Sequence, residues 1–537
     1  MAGTGSVGEP LGPLSASLLW QAQGAYFERA GVTPWASGEL PHAASTGPVL
    51  AAAYAQIVEG FLDDCAAGRF GPVDLAEPVH LVELGAGPGR LAFHFLRSLD
   101  TSASPLRLVY VLTDLAQANL EFWRGHERLQ PFFDDGRLEL ARFDATGDAT
   151  LTLERSGRVL APGTLANPMV AVANYLFDVI PQDLFVVEEG RLREELVAVV
   201  GDQGPDDQAA PDFFQRVRLT TGPGPVGPDR YDHPDLNRLL AWRAAQEEGP
   251  GPDRFLFPAP ALRCLGHLAE LAAGRLLLLT AERPDSVADI PPDADAGDRP
   301  EGVRPRSLFA MAVHGSSFSC PVDLTVLDRF VEDRAGTMLL PAASPAGLLV
   351  AGFLTGDTGG APATRHRFAL AVDEGGPEDV HLTLRATLDR GTEGIPLALL
   401  LAMLRTGGYD PYLMSQLRPG LEQALPDATP AGAEEAVRAF RRVLDADFPL
   451  HRSTDVAFWI AMLLAPAGYH VGALEFLAES RDRRGPNPRT AYNTGLCLAY
   501  LGRTEEAMAA LEEAVALDPG FDAAADLLDQ VRRGEVS

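Results

Sequence analysis

The chain has 537 residues, several times the roughly 100 to 200 of a single domain, so two or three domains are expected. Hydrophobic residues make up 46% and charged residues 22%, a globular composition, and 74 acidic against 44 basic side chains leave a net charge of −30 that disfavours nucleic acid as a partner. Every basic residue is an arginine, which removes Schiff-base lysines, phosphate loops of the G-x-x-x-x-G-K-[ST] type and Ser–Lys dyads from consideration.

Residues 1–13 read as a short disordered leader without the basic start and apolar block of a secretory signal. Leu14 to Arg29 and Val49 to Cys65 follow as helices, separated by a loop rich in Pro, Gly and Ser. From Pro78 the pattern changes: VHLVELG is an apolar run ending in glycine, GRLAFHFLRSL has a helical period, and LRLVYVLTD is a second apolar run ending in an acid. Strands alternating with helices in this way give parallel βαβ units and an α/β, doubly wound, mainly parallel sheet. Leu138 to Phe143, Met169 to Ala173, Leu184 to Val187 and Leu276 to Thr280 are further strands on the same reading. Gly201 to Pro211, Gly222 to Pro234 and Glu282 to Pro305, dominated by Gly, Pro and Asp, read as surface loops. From about Leu382 the chain turns to Ala, Leu, Glu and Arg in helical periods, so an all-α helical repeat domain is expected to follow the sheet.

Within that region a 34-residue register recurs. Gly502, Ala507 and Leu511 stand 34 residues after Gly468, Ala473 and Leu477, and EEAVRAFRRVLDADF (Glu434 to Phe448) is an earlier second-helix candidate. The segment AYNTGLCLAYLGRTEEAMAALEEAVALDP resembles the tetratricopeptide repeat, and FDAAADLLDQVRR reads as the helix covering its last apolar face. The expected division is 14–360 for the sheet domain, 380–450 for a helical connector and 451–537 for repeats with a capping helix. Such repeats imply a protein substrate or protein partner. The longest apolar runs, near ten residues, are short of the roughly 18 to 20 that span a bilayer, so no membrane partner is expected. Cys65, Cys264, Cys320 and Cys497 lie far apart with no C-x-x-C or H-E-x-x-H, so no metal site is expected and a reducing cytoplasm fits best.

The chemistry concentrates in VHLVELGAGPGRLAFHFLRSL. Gly85, Gly87 and Gly89 lie between a strand and a helix, where the backbone can turn tightly and approach a ligand. The dinucleotide fingerprint would put a glycine at position 90, but Arg90 stands there, and Glu83 precedes the first glycine by two. This E-x-G-x-G-x-G resembles motif I of class I S-adenosylmethionine-dependent methyltransferases. The resemblance implies a seven-stranded sheet, S-adenosylmethionine as cofactor, Asp114 at the end of the second strand for the ribose hydroxyls, and Asp144 after the third strand for the adenine.

Further on, NYLFDVIP (Asn174 to Pro181) resembles the N-E-x-x-D-x-x-P signature of the MidA-like family, methyltransferases linked to mitochondrial complex I assembly whose best-known members modify a protein arginine. Asn174, Asp178 and Pro181 match it, with Tyr175 in the Glu place. Ala25 to Pro48 and Ala312 to Leu327 are similar to that family's N-terminal and late His-containing segments. The reading is a methyltransferase acting on a protein side chain, an arginine on the resemblance, with Asp178 as base, Asn174 orienting it and also facing the cofactor, and His314 or His42 as weaker base candidates. The alternative is a non-catalytic interaction protein in which a degenerate methyltransferase fold supports the repeat scaffold.

Overall fold

The computed structural model describes residues 9–40, 43–102, 104–200, 212–247, 253–282, 309, 311–342, 348–357, 359–373, 375–450 and 455–535. It falls into two compact units, 1–379 and 380–537.

The first unit opens with α1 (Leu18–Ala30), α2 (Thr33–Ala36), α3 (Ala43–Thr46) and α4 (Pro48–Ala66), and then alternates β1 (Val79–Glu83), α5 (Arg90–Ser98), β2 (Leu108–Asp114), α6 (Gln117–Gly125) and β3 (Leu138–Arg142). A small hairpin, β4 (Leu151–Thr152) and β5 (Val159–Leu160), precedes β6 (Met169–Val172). After β7 (Asp183–Glu188), β8 (Arg191–Val200), β9 (Arg218–Gly224) and β10 (Asp253–Phe257) come β11 (Leu276–Glu282), the hairpin β12 (Ala312–His314) and β13 (Ser317–Ser319), then β14 (Thr337–Leu339) and β15 (Leu349–Leu354).

Seven strands form one sheet in the order β14-β15-β11-β6-β1-β2-β3. β11, β6, β1, β2 and β3 run parallel, while β15 pairs antiparallel with both β11 and β14. The mainly parallel, seven-stranded, doubly wound sheet read from the sequence is therefore present. Its strands are covered on both faces, and Leu276 to Leu279 are each at most 3% exposed, every such side chain contributing about 1.5–3 kcal/mol. The chain leaves β1 toward β2 and later returns on the other side as β6, so the loop after β1 sits at the switch point, where open α/β sheets bind ligands.

One strand belongs elsewhere. Leu184 to Val187 lies in β7, part of a separate antiparallel sheet β10-β7-β8-β9. Its β7–β8 hairpin turns at Glu189 and Gly190, both at positive φ, and Gly222 to Gly224 is the end of an edge strand rather than loop. Pro223 is tolerated there because β9 is the last strand of its sheet among the described residues. Glu282 ends β11, so the turn-rich segment starts after it; the rest of that segment, and 201–211, lie outside the described residues. The second sheet shares an apolar core with α1 and β13, through Leu19, Trp20, Val197, Phe214 and Phe318, with the Trp20 and Phe318 rings 4.7 Å apart.

The second unit is helical. Helices Val456–Leu464 and His470–Arg484 pair, as do Pro488–Tyr500 and Thr504–Leu517, and Asp522–Arg533 follows, burying Ala524, Leu527, Leu528 and Val531. The 34-residue register is structural: Gly468 and Gly502 both turn with positive φ, and Ala473, Leu477, Ala507 and Leu511 are all 0% exposed. Helix Pro430–Asp445 continues it backward, presenting Ala439 and Val443 at the same spacing to the buried side. Ion pairs between successive second helices, Arg441 with Glu475 and Arg481 with Glu513, follow the stacking.

Candidate functional site

At the carboxyl edge of the sheet, β1 ends on Glu83 and the backbone turns through Gly85, Gly87 and Gly89, with φ of +60°, +53° and +74°, before α5 starts at Arg90. All three are left-handed positions that favour glycine. Space demands glycine as well: a Cβ at Gly85 would come 3.0 Å from Leu176, at Gly87 2.9 Å from the Trp35 ring and at Gly89 3.0 Å from Trp123. The Gly87 amide donates to Asp114 Oδ2 at 3.0 Å, and Trp123 Nε1 donates to the Gly87 carbonyl at 3.1 Å. Asp114 also accepts from Asn119 Nδ2 and the Ala116 amide, both at 2.9 Å. The acid at the end of β2 is thereby fixed against the glycine loop. Burial raises its pKa, and these hydrogen bonds oppose the shift.

Glu83 is 4% exposed and accepts from Tyr110 Oη at 2.9 Å. Burial pushes its carboxyl up to about 8, against the Tyr110 hydrogen bond and with help from the Asp114 charge. A buried carboxyl that is largely protonated at neutral pH is one that a nearby cation would re-ionise.

Asn174, two residues past β6, is braced from both ends: Tyr54 Oη of α4 donates to its Oδ1 at 2.7 Å, and its Nδ2 donates to the Ser45 carbonyl of α3 at 3.1 Å. These contacts tie it to the N-terminal helices. Tyr175 takes a left-handed φ of +47° and its amide donates to the Ala281 carbonyl of β11 at 3.1 Å. Asp178 is 6% exposed, and its carbonyl accepts from the Cys320 amide at 2.8 Å. Around it, Gln23 of α1 donates to the Val179 carbonyl at 3.0 Å and accepts from the Phe318 amide at 2.7 Å, so α1, the loop after β6 and β13 with the following Cys320 form one wall. His314 stands in β12, its Nε2 3.1 Å from Ser319 Oγ. Asp144 follows β3 but closes its own turn, accepting from the Thr146 amide and hydroxyl at 2.8 and 2.6 Å. His42 lies outside the described residues.

Three groups at this edge escaped the sequence reading. Glu282 ends β11 and is 2% exposed, with Thr280 Oγ1 3.1 Å from its Oε1. Tyr54 is fully buried, its hydroxyl pushed well above the ordinary range by burial and then by the charges of Glu282 and Glu83. Trp35, carried on α2, lies against Gly87. Among them only Glu282 had a signal: LLLLTAE ends an apolar run in an acid just as VYVLTD does.

Residues 68–225 match a family model described as "Putative S-adenosyl-L-methionine-dependent methyltransferase", and residues 488–521 match the tetratricopeptide repeat. No curated protein matches the chain. Similar solved structures include two from Burkholderia thailandensis. One, an uncharacterized COG1565 superfamily protein, is 14% identical, covers 66% of this chain and 90% of its own, and has a TM-score of 0.37. The other, a member of the same superfamily bound to S-adenosyl-homocysteine, is 13% identical, covers 59% and 79%, and has a TM-score of 0.36. Through residues 68–225 the chain is an S-adenosylmethionine-dependent methyltransferase, and through residues 488–521 it carries a tetratricopeptide repeat.

Proposed function

We propose that the enzyme methylates a protein side chain, an arginine in the first instance, as its likeness to the MidA-like family implies, and that the C-terminal repeats engage the substrate or a partner protein in a reducing cytoplasm. The observation that carries the cofactor side is the Gly87–Asp114 hydrogen bond, which locks the glycine loop to the acid of β2. Glu83, Gly85, Gly87, Gly89 and Asp114 would hold S-adenosylmethionine, which supplies an electrophilic methyl on a good leaving group. Asp144 is the group nearest in sequence for the adenine, once its turn is opened. The chain's own task is then to align the acceptor, exclude water and take a proton.

Asp178, walled in by α1 and the segment after β13, is the proposed base, with His314 as the weaker candidate. Asn174, spent on Tyr54 and Ser45, acts as a brace of that wall. A protein substrate suits the net charge of −30, which steers a cationic segment toward the surface.

Calorimetry with S-adenosylmethionine tests the cofactor assignment: wild type binds, and Gly87→Val and Asp114→Ala do not. Radiolabelled methyl transfer into whole-cell lysate tests the acceptor. Label in discrete protein bands supports the reading, and label confined to the low-mass fraction refutes it.

A further inference from the structure

Residues 31–40 cross the carboxyl edge of the sheet, and their contacts follow the strand order β2, β1, β6. At one end Gly31, at φ +52°, lies against α6, the helix after β2, so closely that a Cβ on it would come 3.0 Å from the Ala118 Cβ. In the middle the Trp35 indole lies on Gly87 of the loop after β1, and the Phe27 ring of α1 stacks on the indole with centroids 6.0 Å apart. At the other end Glu39 reaches the β12–β13 hairpin, accepting from the Ser316 amide and from the Tyr26 hydroxyl of α1. That hairpin adjoins the loop after β6 through the Gln23 and Cys320 hydrogen bonds. Gly315 turns it at φ +57°, and a Cβ there would run into the Glu39 carboxylate. Inside the segment the Ser37 amide donates to the Thr33 carbonyl at 2.9 Å and the Leu40 amide to the Pro34 carbonyl at 3.1 Å, so it can move as one piece. Glycine loops are bare so that a ligand can come close to their backbone, and here a half-buried indole takes that approach at Gly87. A ligand reaching this backbone has to lift the ring or slide beneath it.

We infer that residues 31–40 are a strap that lifts to admit S-adenosylmethionine and closes on it, with Trp35 covering the bound cofactor and Glu39 as the catch. The inference rests on the cofactor assignment above and adds two residues that lie outside the glycine motif. Closed on the ligand, Trp35 takes apolar cofactor surface out of water and keeps water from the site. The two hydrogen bonds to the Glu39 carboxylate set how often the strap lifts, and so how fast ligand enters and leaves. Because the catch is made in the free protein, breaking it speeds both directions.

S-adenosylhomocysteine, which does not react, is the probe. By calorimetry Trp35→Ala should bind it about tenfold more weakly than wild type, while Trp35→Phe, which keeps a ring, should retain most of the affinity. By stopped-flow tryptophan fluorescence Glu39→Ala should raise the association and dissociation rates together by about tenfold, as expected for the loss of a charge-assisted hydrogen bond, with affinity moving much less than either rate. Glu39→Gln keeps an acceptor and should stay near wild type, whereas Gly315→Ala, which pushes on the same carboxylate from the hairpin, should resemble Glu39→Ala. In wild type, with no substitution at all, hydrogen exchange across 31–40 should slow when S-adenosylhomocysteine is added. Trp35→Ala that binds as tightly as wild type or tighter overturns the covering role, since the ring would then merely plug the site. Wild-type rates in Glu39→Ala overturn the catch, and exchange across 31–40 that ignores the ligand overturns the strap as a whole. Wild type that binds no S-adenosylhomocysteine is a different failure, that of the cofactor assignment.

Discussion

On the proposed cofactor assignment, Glu83 should make cofactor binding depend on pH in a defined direction. In the free protein its carboxyl titrates at about 8 because burial disfavours the carboxylate. S-adenosylmethionine brings a sulfonium and an ammonium, and a cation beside Glu83 favours the ionised form, so binding below pH 8 must release a proton. Each unit of pH below 8 then costs up to tenfold in affinity. Between pH 8 and pH 6 the loss approaches about 50-fold, or about 2.3 kcal/mol, because the carboxyl is already half protonated at pH 8, as long as the carboxyl of the complex titrates well below 6. Calorimetry at pH 6, 7 and 8, in buffers of different ionisation enthalpy, reads both the affinity and the proton released. Glu83→Gln should bind more weakly at pH 8 and show almost none of the slope. Folding stability moves the other way. A carboxyl raised in the folded state contributes stability that is present below its unfolded pKa, near 4.5, and lost as pH rises through 8. At pH 8 the neutral glutamine should therefore melt higher than wild type. An affinity that is flat from pH 6 to 8, or a Glu83→Gln variant with the wild-type slope, would refute the reasoning.

Two other expectations concern the scaffold. His80 in β1 is 3% exposed, and burial, reinforced by the Arg158 charge, lowers its pKa to about 4. The unfolded chain protonates it near 6.5, so as pH falls from 6.5 to 4 wild type should lose up to about 3 kcal/mol relative to His80→Gln, measured by urea denaturation across that range; parallel curves would count against it. In the repeat, a Cβ at Gly495 would come 2.6 Å from Leu511 Cγ. Gly495→Ala should lower the melting temperature of the helical unit, against the roughly 1 kcal/mol that alanine normally gains in a helix, and leave S-adenosylmethionine binding intact. A stabilised variant would show that the two helices can move apart without cost.

The parts legible in the sequence are those fixed by local spacing. The glycine loop and Asp114 announce themselves because a strand, a tight turn and a helix follow within a dozen residues, and the switch-point position follows from the parallel order. The repeat is legible for a related reason: each helical pair packs mainly against its neighbours, so a shift of 34 residues aligns Ala473 with Ala507 and Leu477 with Leu511. The second sheet was not separable, since Glu189–Gly190 is not a usual hairpin signal and β9, the last strand of its sheet among the described residues, carries Pro223. Nor was the bracing of Asn174, whose partners Tyr54 and Ser45 lie 120 and 129 residues away. A helical period shows that Tyr54 is buried, but not what its hydroxyl meets.

The excess of acids acquires a local meaning at the sheet edge. Glu83 is 4% exposed, and ionising it there costs stability that an apolar residue in the same place would not. The cost is offset when a cation enters, and the donor supplies one: its sulfonium, which loses its charge on transfer. The donor's charge disappears with the methyl, so the product S-adenosylhomocysteine leaves Glu83 less compensated than the substrate did. The same electrostatics that draw the donor in at pH 8 thus loosen the product, and the ratio of their affinities should shrink in Glu83→Gln. Product release is then aided by a carboxyl that prefers to be protonated, which is a use for a raised pKa that a packing role for Glu83 would not require.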